Sequence, residues 1–101
     1  MPQFDVFHTR GSTVYPLVVD LQADLHSTLT TCVVVPMVDR VRYAQPASRL
    51  TPIVKIGTEQ YVLLFPLMAA VPRTSLGGLV GSLARERATL IAALDLLVTG
   101  S

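Results

Sequence analysis

The feature that most constrains the fold is a series of short apolar runs, rich in β-branched residues, that prolines repeatedly interrupt. Such runs are typical of β-strands, and they cover residues 4–7, 14–21, 32–38, 53–57 and 58–65. Pro16 has no amide to donate, so it predicts an edge strand or a bulge within the second run. The last two runs meet at Gly57 and Thr58, which predicts a hairpin. The pattern favours a small, strongly curved barrel of short, bent strands.

The pattern changes after Pro72. Leu83, Leu90 and Leu97 recur every seven residues, which is a helical spacing. Ser82 is a suitable N-cap and Gly100 a usual C-terminal stop, so we predict one helix between them. The segment 76–83, LGGLVGSL, lacks the spacing of a phosphate-binding loop and is interpreted as a flexible turn into that helix.

Length and composition predict a single domain, residues 1–101, that forms a homodimer. Hydrophobic residues make up 50% of the chain and charged residues only 15%, against roughly 25% in typical soluble domains. A body this small cannot bury so much apolar surface alone, and an exposed apolar patch usually marks a protein interface. We expect the interface on the strand after Pro66 and at the end of the helix, through Met68, Ala69, Val71, Leu94 and Leu97.

The distribution of apolar residues along the sequence predicts neither a secretory signal nor a membrane span. The first ten residues lack the apolar run of a secretory signal, and Pro66 interrupts the longest apolar stretch, 61–71, which is shorter than the roughly 18 residues of a membrane span. The single cysteine, Cys32, excludes an internal disulfide and suits a reducing compartment. We expect a cytoplasmic protein with no membrane partner.

Residues that support catalysis are sparse. His8 and His26 lie eighteen residues apart without the spacing of metal ligands. Cys32 opens an apolar run, where a thiol is usually a buried small hydrophobe. Asp20 and Asp24 fit strand-end solvation better than a paired-carboxylate site. We therefore expect no enzyme activity, no metal and no cofactor.

One loop combines basic and aromatic residues, namely Arg40, Arg42, Tyr43 and Arg49. Guanidinium groups beside an aromatic ring are suited to RNA contact. The formal net charge is only +1, however, so a solvated loop is the favoured interpretation.

Six strings along the chain together resemble the CcdB family of toxins. They are QFDVF at 3–7, VVDLQADL at 18–25, VVVPM at 33–37, RLTPIVKIGTEQYVL at 49–63, MAAVP at 68–72 and SLARERATLIAALDLLVTG at 82–100. Their order and spacing match the family with almost no gaps. The resemblance implies a mainly β fold with a C-terminal α-helix, an SH3-like barrel of the CcdB and MazF type with an antiparallel sheet, assembled as a homodimer.

The resemblance also implies a function and partners. Family members poison DNA gyrase by inserting the ends of both C-terminal helices between the arms of the gyrase A subunit. A CcdA-like antitoxin with a disordered segment removes the toxin from gyrase and represses the operon with it. Contact with operator DNA is therefore expected only through the antitoxin.

Carried over by position, the gyrase-contact residues are Leu25, His26, Asp95, Val98, Thr99, Gly100 and Ser101. Thr99 and Ser101 depart from the family, whose best-known poisons have tryptophan and isoleucine at these two positions. The apolar anchor is missing here, so we expect gyrase inhibition to be weak or absent.

Two alternatives stay open. The first is a toxin of the same fold that has lost gyrase poisoning or has another target. The second is a MazF-like endoribonuclease, for which the nearby cationic candidates are Arg40, Arg42 and Arg73, without an evident base.

Overall fold

A computed structural model describes residues 3–11, 14–22 and 29–100. Within these residues the chain forms a single seven-stranded antiparallel sheet followed by one α-helix. The strands are β1 (Asp5–Thr9), β2 (Leu17–Asp20), β3 (Thr31–Asp39), β4 (Ile53–Ile56), β5 (Glu59–Leu63), β6 (Ala69–Pro72) and β7 (Leu76–Ser82), and the helix is α1 (Arg87–Thr99). The predicted mainly β fold with a C-terminal helix is confirmed.

Strand β3 organises the sheet. One of its edges pairs with β2, and the other pairs first with β6 and then with β5. Pro36 lies where that second edge passes from β6 to β5, and its carbonyl accepts a hydrogen bond from the Leu64 amide at 3.0 Å. The missing amide of Pro36 therefore falls at a gap between partners, which is why a proline is tolerated inside a nine-residue central strand. The sheet curls around this strand into a half-barrel.

The hairpin at Gly57 is confirmed, because β4 and β5 pair from Ile56 opposite Glu59 outwards. Gly57 has φ +63° and Thr58 has a negative φ, the pattern of a type II′ turn with glycine in its first central position.

The prediction of an edge strand or bulge at Pro16 is wrong. Strand β2 begins after this proline and lies between β1 and β3, in the middle of the sheet. Pro16 contributes only its carbonyl, which accepts from the Thr9 amide at 3.1 Å.

The interpretation of 76–83 as a flexible turn is also wrong, since Leu76–Ser82 forms strand β7 against β1. Gly77 makes this pairing possible, because a Cβ atom there would lie 3.0 Å from the His8 carbonyl oxygen. The prediction of Ser82 as the helix N-cap is wrong, because Ser82 ends β7 and the N-cap of α1 is Glu86. The Ser82 Oγ accepts from the Ala84 amide, in the 3₁₀ turn Ala84–Glu86 that precedes α1. The C-terminal stop at Gly100 is confirmed: it has φ +79° and its amide donates to the Leu96 carbonyl at 3.0 Å.

Neighbouring residues of the central strands are buried on opposite faces of the sheet. The main core lies between the sheet and α1 and contains Val6, Val19, Val35, Met37, Phe65, Leu83, Leu90 and Ala93, among others. A second cluster on the opposite face contains Phe7, Val18, Cys32, Val34 and Leu76. Because both faces carry apolar side chains, the central strands are continuously apolar rather than alternating.

Candidate functional site

The end of α1 presents an exposed face formed by Asp95, Val98 and Thr99, which are three and four residues apart. Val98 is the large apolar side chain of this face, and it is 67% exposed. The Thr99 hydroxyl donates to the Asp95 carbonyl at 2.6 Å, and Gly100 then turns the backbone away. The outer surface of Thr99 therefore consists mainly of its methyl group. This surface suits contact with another protein.

Three of the predicted gyrase-contact residues, Leu25, His26 and Ser101, lie outside the described residues. Asp95, Val98 and Thr99 share the last turn and a half of α1, Gly100 follows as its C-cap, and all four residues are exposed. The helix thus brings the described members of the set together.

The residues predicted for the dimer interface fall on two sides of the sheet. Ala69 and Val71 pair with Val34 and Cys32 of β3, and Val71 packs against the second cluster. Met68, Leu94 and Leu97 are half-buried against the main core on the helix side. Within one chain the structure therefore does not join the two halves of the predicted interface.

An apolar groove, which sequence reasoning missed, lies beside Ala69 and Val71. It consists of two depressions of about 400 and 340 Å³ that share Tyr15 and Leu67. One extends to Tyr43, and the other extends over the second-cluster face of the sheet to Val71. Leu67 is 49% exposed in it. The signal for such a face was the unbroken apolar run of β3, because a strand with one solvated face alternates instead.

A buried carboxylate lies at the end of β2. Asp20 is 1% exposed, and its Oδ1 accepts from the Gln22 amide at 2.8 Å. Burial raises the pKa of Asp20, and the Gln22 amide and the Arg73 guanidinium oppose that rise. Since its carboxylate is buried and bonded to the Gln22 amide, Asp20 stabilises the end of β2 and does not face a substrate.

Cys32 is fully buried, as expected for a small hydrophobe. Burial raises the pKa of its thiol, and the carboxylate of Asp20 adds to that rise. A thiol that is neutral and enclosed is a poor nucleophile.

The cationic side chains considered for RNA cleavage lie far apart in one chain. Arg40 follows the C-terminal end of β3, whereas Arg73 follows Pro72, which pairs with Thr31 at the other end of that strand. At about 3.3 Å per residue, the nine residues of β3 separate them by about 25 Å. Each also has a structural bond: Arg40 donates to the Tyr43 carbonyl at 3.1 Å, and Arg73 Nε donates to the Leu29 carbonyl at 2.6 Å. They do not converge on one phosphate within a chain.

In the part of the chain that the structure describes, no group of three histidine, cysteine or acidic side chains is arranged to hold a metal ion. No described helix has both the length and the apolar composition needed to cross a membrane.

Solved structures of other proteins share this fold of a curled antiparallel sheet and a terminal helix. An endoribonuclease solved in complex with its cognate antitoxin, from a mycobacterial species, superposes with a TM-score of 0.79 at 10% identity, covering 98% of this chain and 95% of that one. A crystal structure of an Mtb toxin superposes with a TM-score of 0.68 at 18% identity, covering 95% of this chain and 99% of that one. The model of the family described as CcdB protein matches residues 3–100. The chain belongs to the CcdB family.

Proposed function

We propose that the protein is the toxin of a toxin–antitoxin module, which binds the DNA gyrase A subunit in the cytoplasm as a homodimer. A CcdA-like antitoxin neutralises it and represses the operon with it, so operator DNA is contacted through the antitoxin. Family membership over residues 3–100 supports this proposal. The single structural observation that carries it is the exposed apolar end of α1, where Val98 is 67% accessible.

The helix end acts as the gyrase contact in this proposal. Asp95, Val98 and Thr99 present one continuous face, and Gly100 allows close backbone approach because it has no side chain. Leu25, His26 and Ser101 join this contact by their positions in the family. Since Thr99 offers little more than a methyl group, the wild-type contact lacks an aromatic anchor and inhibition should be weak.

The homodimer would cover the remaining apolar surface. Ala69 and Val71 lie beside the apolar groove on one face, and Met68, Leu94 and Leu97 remain half-buried on the other. A two-fold interface uses the same patch on both copies, so the dimer contact needs only one of these two apolar surfaces. It would also bring the ends of both α1 helices into one binding unit.

Action by binding rather than catalysis is part of the same proposal. The structural likeness to an endoribonuclease favours RNA cleavage as the second candidate function. Within one chain, however, Arg40 and Arg73 lie at opposite ends of β3, and the Cys32 thiol is enclosed. A dimer would therefore need to combine cationic groups from both copies to assemble an RNA site.

The test uses two matched variants, Val98→Asp and Val41→Asp. Both residues are exposed, at 67% and 92%, but Val41 belongs to a 3₁₀ turn after β3 and not to the helix end. Binding to purified gyrase A subunit is measured by surface plasmon resonance at high protein concentration. Val98→Asp should abolish binding and Val41→Asp should leave it unchanged. Equal effects of both variants would remove the helix end from the contact.

A further inference from the structure

Strand β7 is the terminal strand beyond β1 in the sheet of the described residues, and its outer edge is exposed. Its seven residues, LGGLVGS, contain neither a charge nor a proline. The strand at the opposite end of the sheet order, β4, is shorter, follows Pro52 and carries Lys55. Natural proteins commonly block open strand edges with lysine, proline or bulges, because an open edge pairs readily with another chain. Two register shifts against β1 are the only device of this kind in β7.

The glycines leave this edge bare. Gly77 is needed for the close approach to β1, but Gly78 and Gly81 are not crowded. A Cβ atom at Gly81 would have no neighbour within 4 Å, and one at Gly78 would reach only the His8 ring at 4.0 Å. An extended chain can therefore approach the backbone of β7 without displacing side chains.

Leu79 marks the centre of the edge. It lies opposite Phe7, so both side chains point to the second-cluster face, yet Phe7 is 6% and Leu79 is 63% exposed. The Thr9 amide donates to the Pro16 carbonyl, so Thr9 and Phe7 direct their backbone groups towards β2. The backbone groups of Leu79, opposite Phe7, accordingly face the open side. An added strand would bond to them and cover the Leu79 side chain.

Basic residues flank both ends of β7. Arg73 precedes it in a 3₁₀ turn, and the Arg10 amide donates to the Ser75 carbonyl beside its first residue. Arg85 and Arg87 follow its last residue, with Glu86 between them. Arg73 and Arg87 also bond within the chain, to Leu29 and to Gln3, and the net charge of the four arginines with Glu86 remains positive. An extended segment with an apolar centre and carboxylates at its ends would complement this surface in shape and in net charge.

We propose that the edge of β7 binds an extended, acidic segment of the antitoxin by strand addition, an inference that rests on the proposed function. A second copy of this chain is a poor occupant. Antiparallel pairing of two β7 strands would bring Arg73 and Arg10 of one copy against Arg85 and Arg87 of the other. An extended segment that carries carboxylates at its ends and orders on binding avoids this repulsion.

The first experiment uses a fluorescein-labelled synthetic peptide with alternating valine and threonine at its centre and glutamates at both ends. Fluorescence anisotropy measures its affinity for wild type, Leu79→Lys and the control Val41→Lys. Leu79→Lys should weaken binding about tenfold, and Val41→Lys should not. The added lysine would strengthen a purely electrostatic contact with this acidic peptide. Unchanged or tighter binding by Leu79→Lys therefore overturns the proposal.

Amide hydrogen exchange on the wild-type complex gives a second readout that needs no variant. The Leu79 amide should become protected when the peptide is bound. Protection elsewhere with an unprotected Leu79 would contradict strand addition.

The same variants are then tested for binding to the cognate antitoxin of the proposed module. Reduced affinity of Leu79→Lys, with an unchanged sedimentation mass of the toxin alone, supports the edge as an antitoxin site. Full affinity of Leu79→Lys refutes the edge site but leaves the module intact. No binding by wild type would instead refute the proposed module.

Discussion

The end of α1 should gain affinity for gyrase when the missing aromatic side chain is supplied. In the double variant Thr99→Trp with Ser101→Ile, tryptophan replaces an exposed threonine whose hydroxyl bonds to the Asp95 carbonyl. That carbonyl is in the exposed last turn, where water can replace the hydroxyl. The free energy of unfolding should therefore change by no more than about 0.5 kcal/mol.

The gain follows from the area that tryptophan can bury. A fully buried tryptophan removes roughly 200 Å² from water, which at about 25 cal/mol per Å² corresponds to at most about 5 kcal/mol. Aromatic anchors at interface centres commonly contribute about 2 kcal/mol or more, or roughly thirtyfold in affinity. The concentration that half-inhibits gyrase supercoiling should fall by at least that factor.

The assay compares wild type, the double variant and Val41→Trp, which adds the same side chain at a site that is 92% exposed. Only the double variant should gain inhibition and accumulate cleaved DNA complexes. Strong poisoning by wild type would show that the anchor argument is wrong, and no gain in the double variant would point to a different target.

Three further predictions concern pH, assembly and the core. Burial raises the folded-state pKa of Asp20 above its unfolded value, so the folded state binds the proton more tightly and stability falls as pH rises through that interval. Asp20→Asn keeps an acceptor for the Gln22 amide but has no proton to titrate. In urea unfolding across the acidic range, this variant should lose the decrease of the unfolding free energy with pH. If the variant keeps that decrease, another group causes it. Val71→Lys should shift the mass in sedimentation equilibrium towards the 10.9 kDa chain, since it charges the face beside the groove; an unaltered dimer mass would place the interface elsewhere. Leu90→Ala should cost about 2–5 kcal/mol in chemical unfolding, because Leu90 is 1% exposed between α1 and the sheet, whereas a cost below about 1 kcal/mol would contradict its place in the core.

Local pattern was sufficient to predict most of the strands and the end of the helix. The β4–β5 hairpin follows from Gly57, and the helix stop follows from Gly100, because both glycines adopt a positive φ that other residues disfavour. Strand β7 could not be predicted in this way. Its glycine-rich sequence has a weak intrinsic preference for strand, and it forms because Gly77 fits against His8, more than sixty residues earlier in the chain.

One part of the candidate site could also be predicted from the sequence, and another part could not. Val98 lies at the end of the apolar stripe of the helix and is exposed. This exposure agrees with the composition, which has more apolar residues than one small core can bury. The apolar groove depends on Tyr15 and Leu67, which the fold brings together from distant parts of the chain. No local spacing relates these two residues, so only the tertiary structure defines the groove.

Whether the wild-type protein acts by saturable binding or by turnover decides between gyrase binding and RNA cleavage. Purified protein is titrated by calorimetry against the gyrase A subunit, with and without the antitoxin, and the same preparation is incubated with RNA in the absence of metal. Arg40→Ala and Arg73→Ala serve as variants in the RNA assay, since these residues are the cationic candidates for cleavage. The proposed function predicts weak, saturable gyrase binding that the antitoxin reverses, together with intact RNA. RNA turnover that either arginine variant abolishes, without measurable gyrase binding, would contradict it.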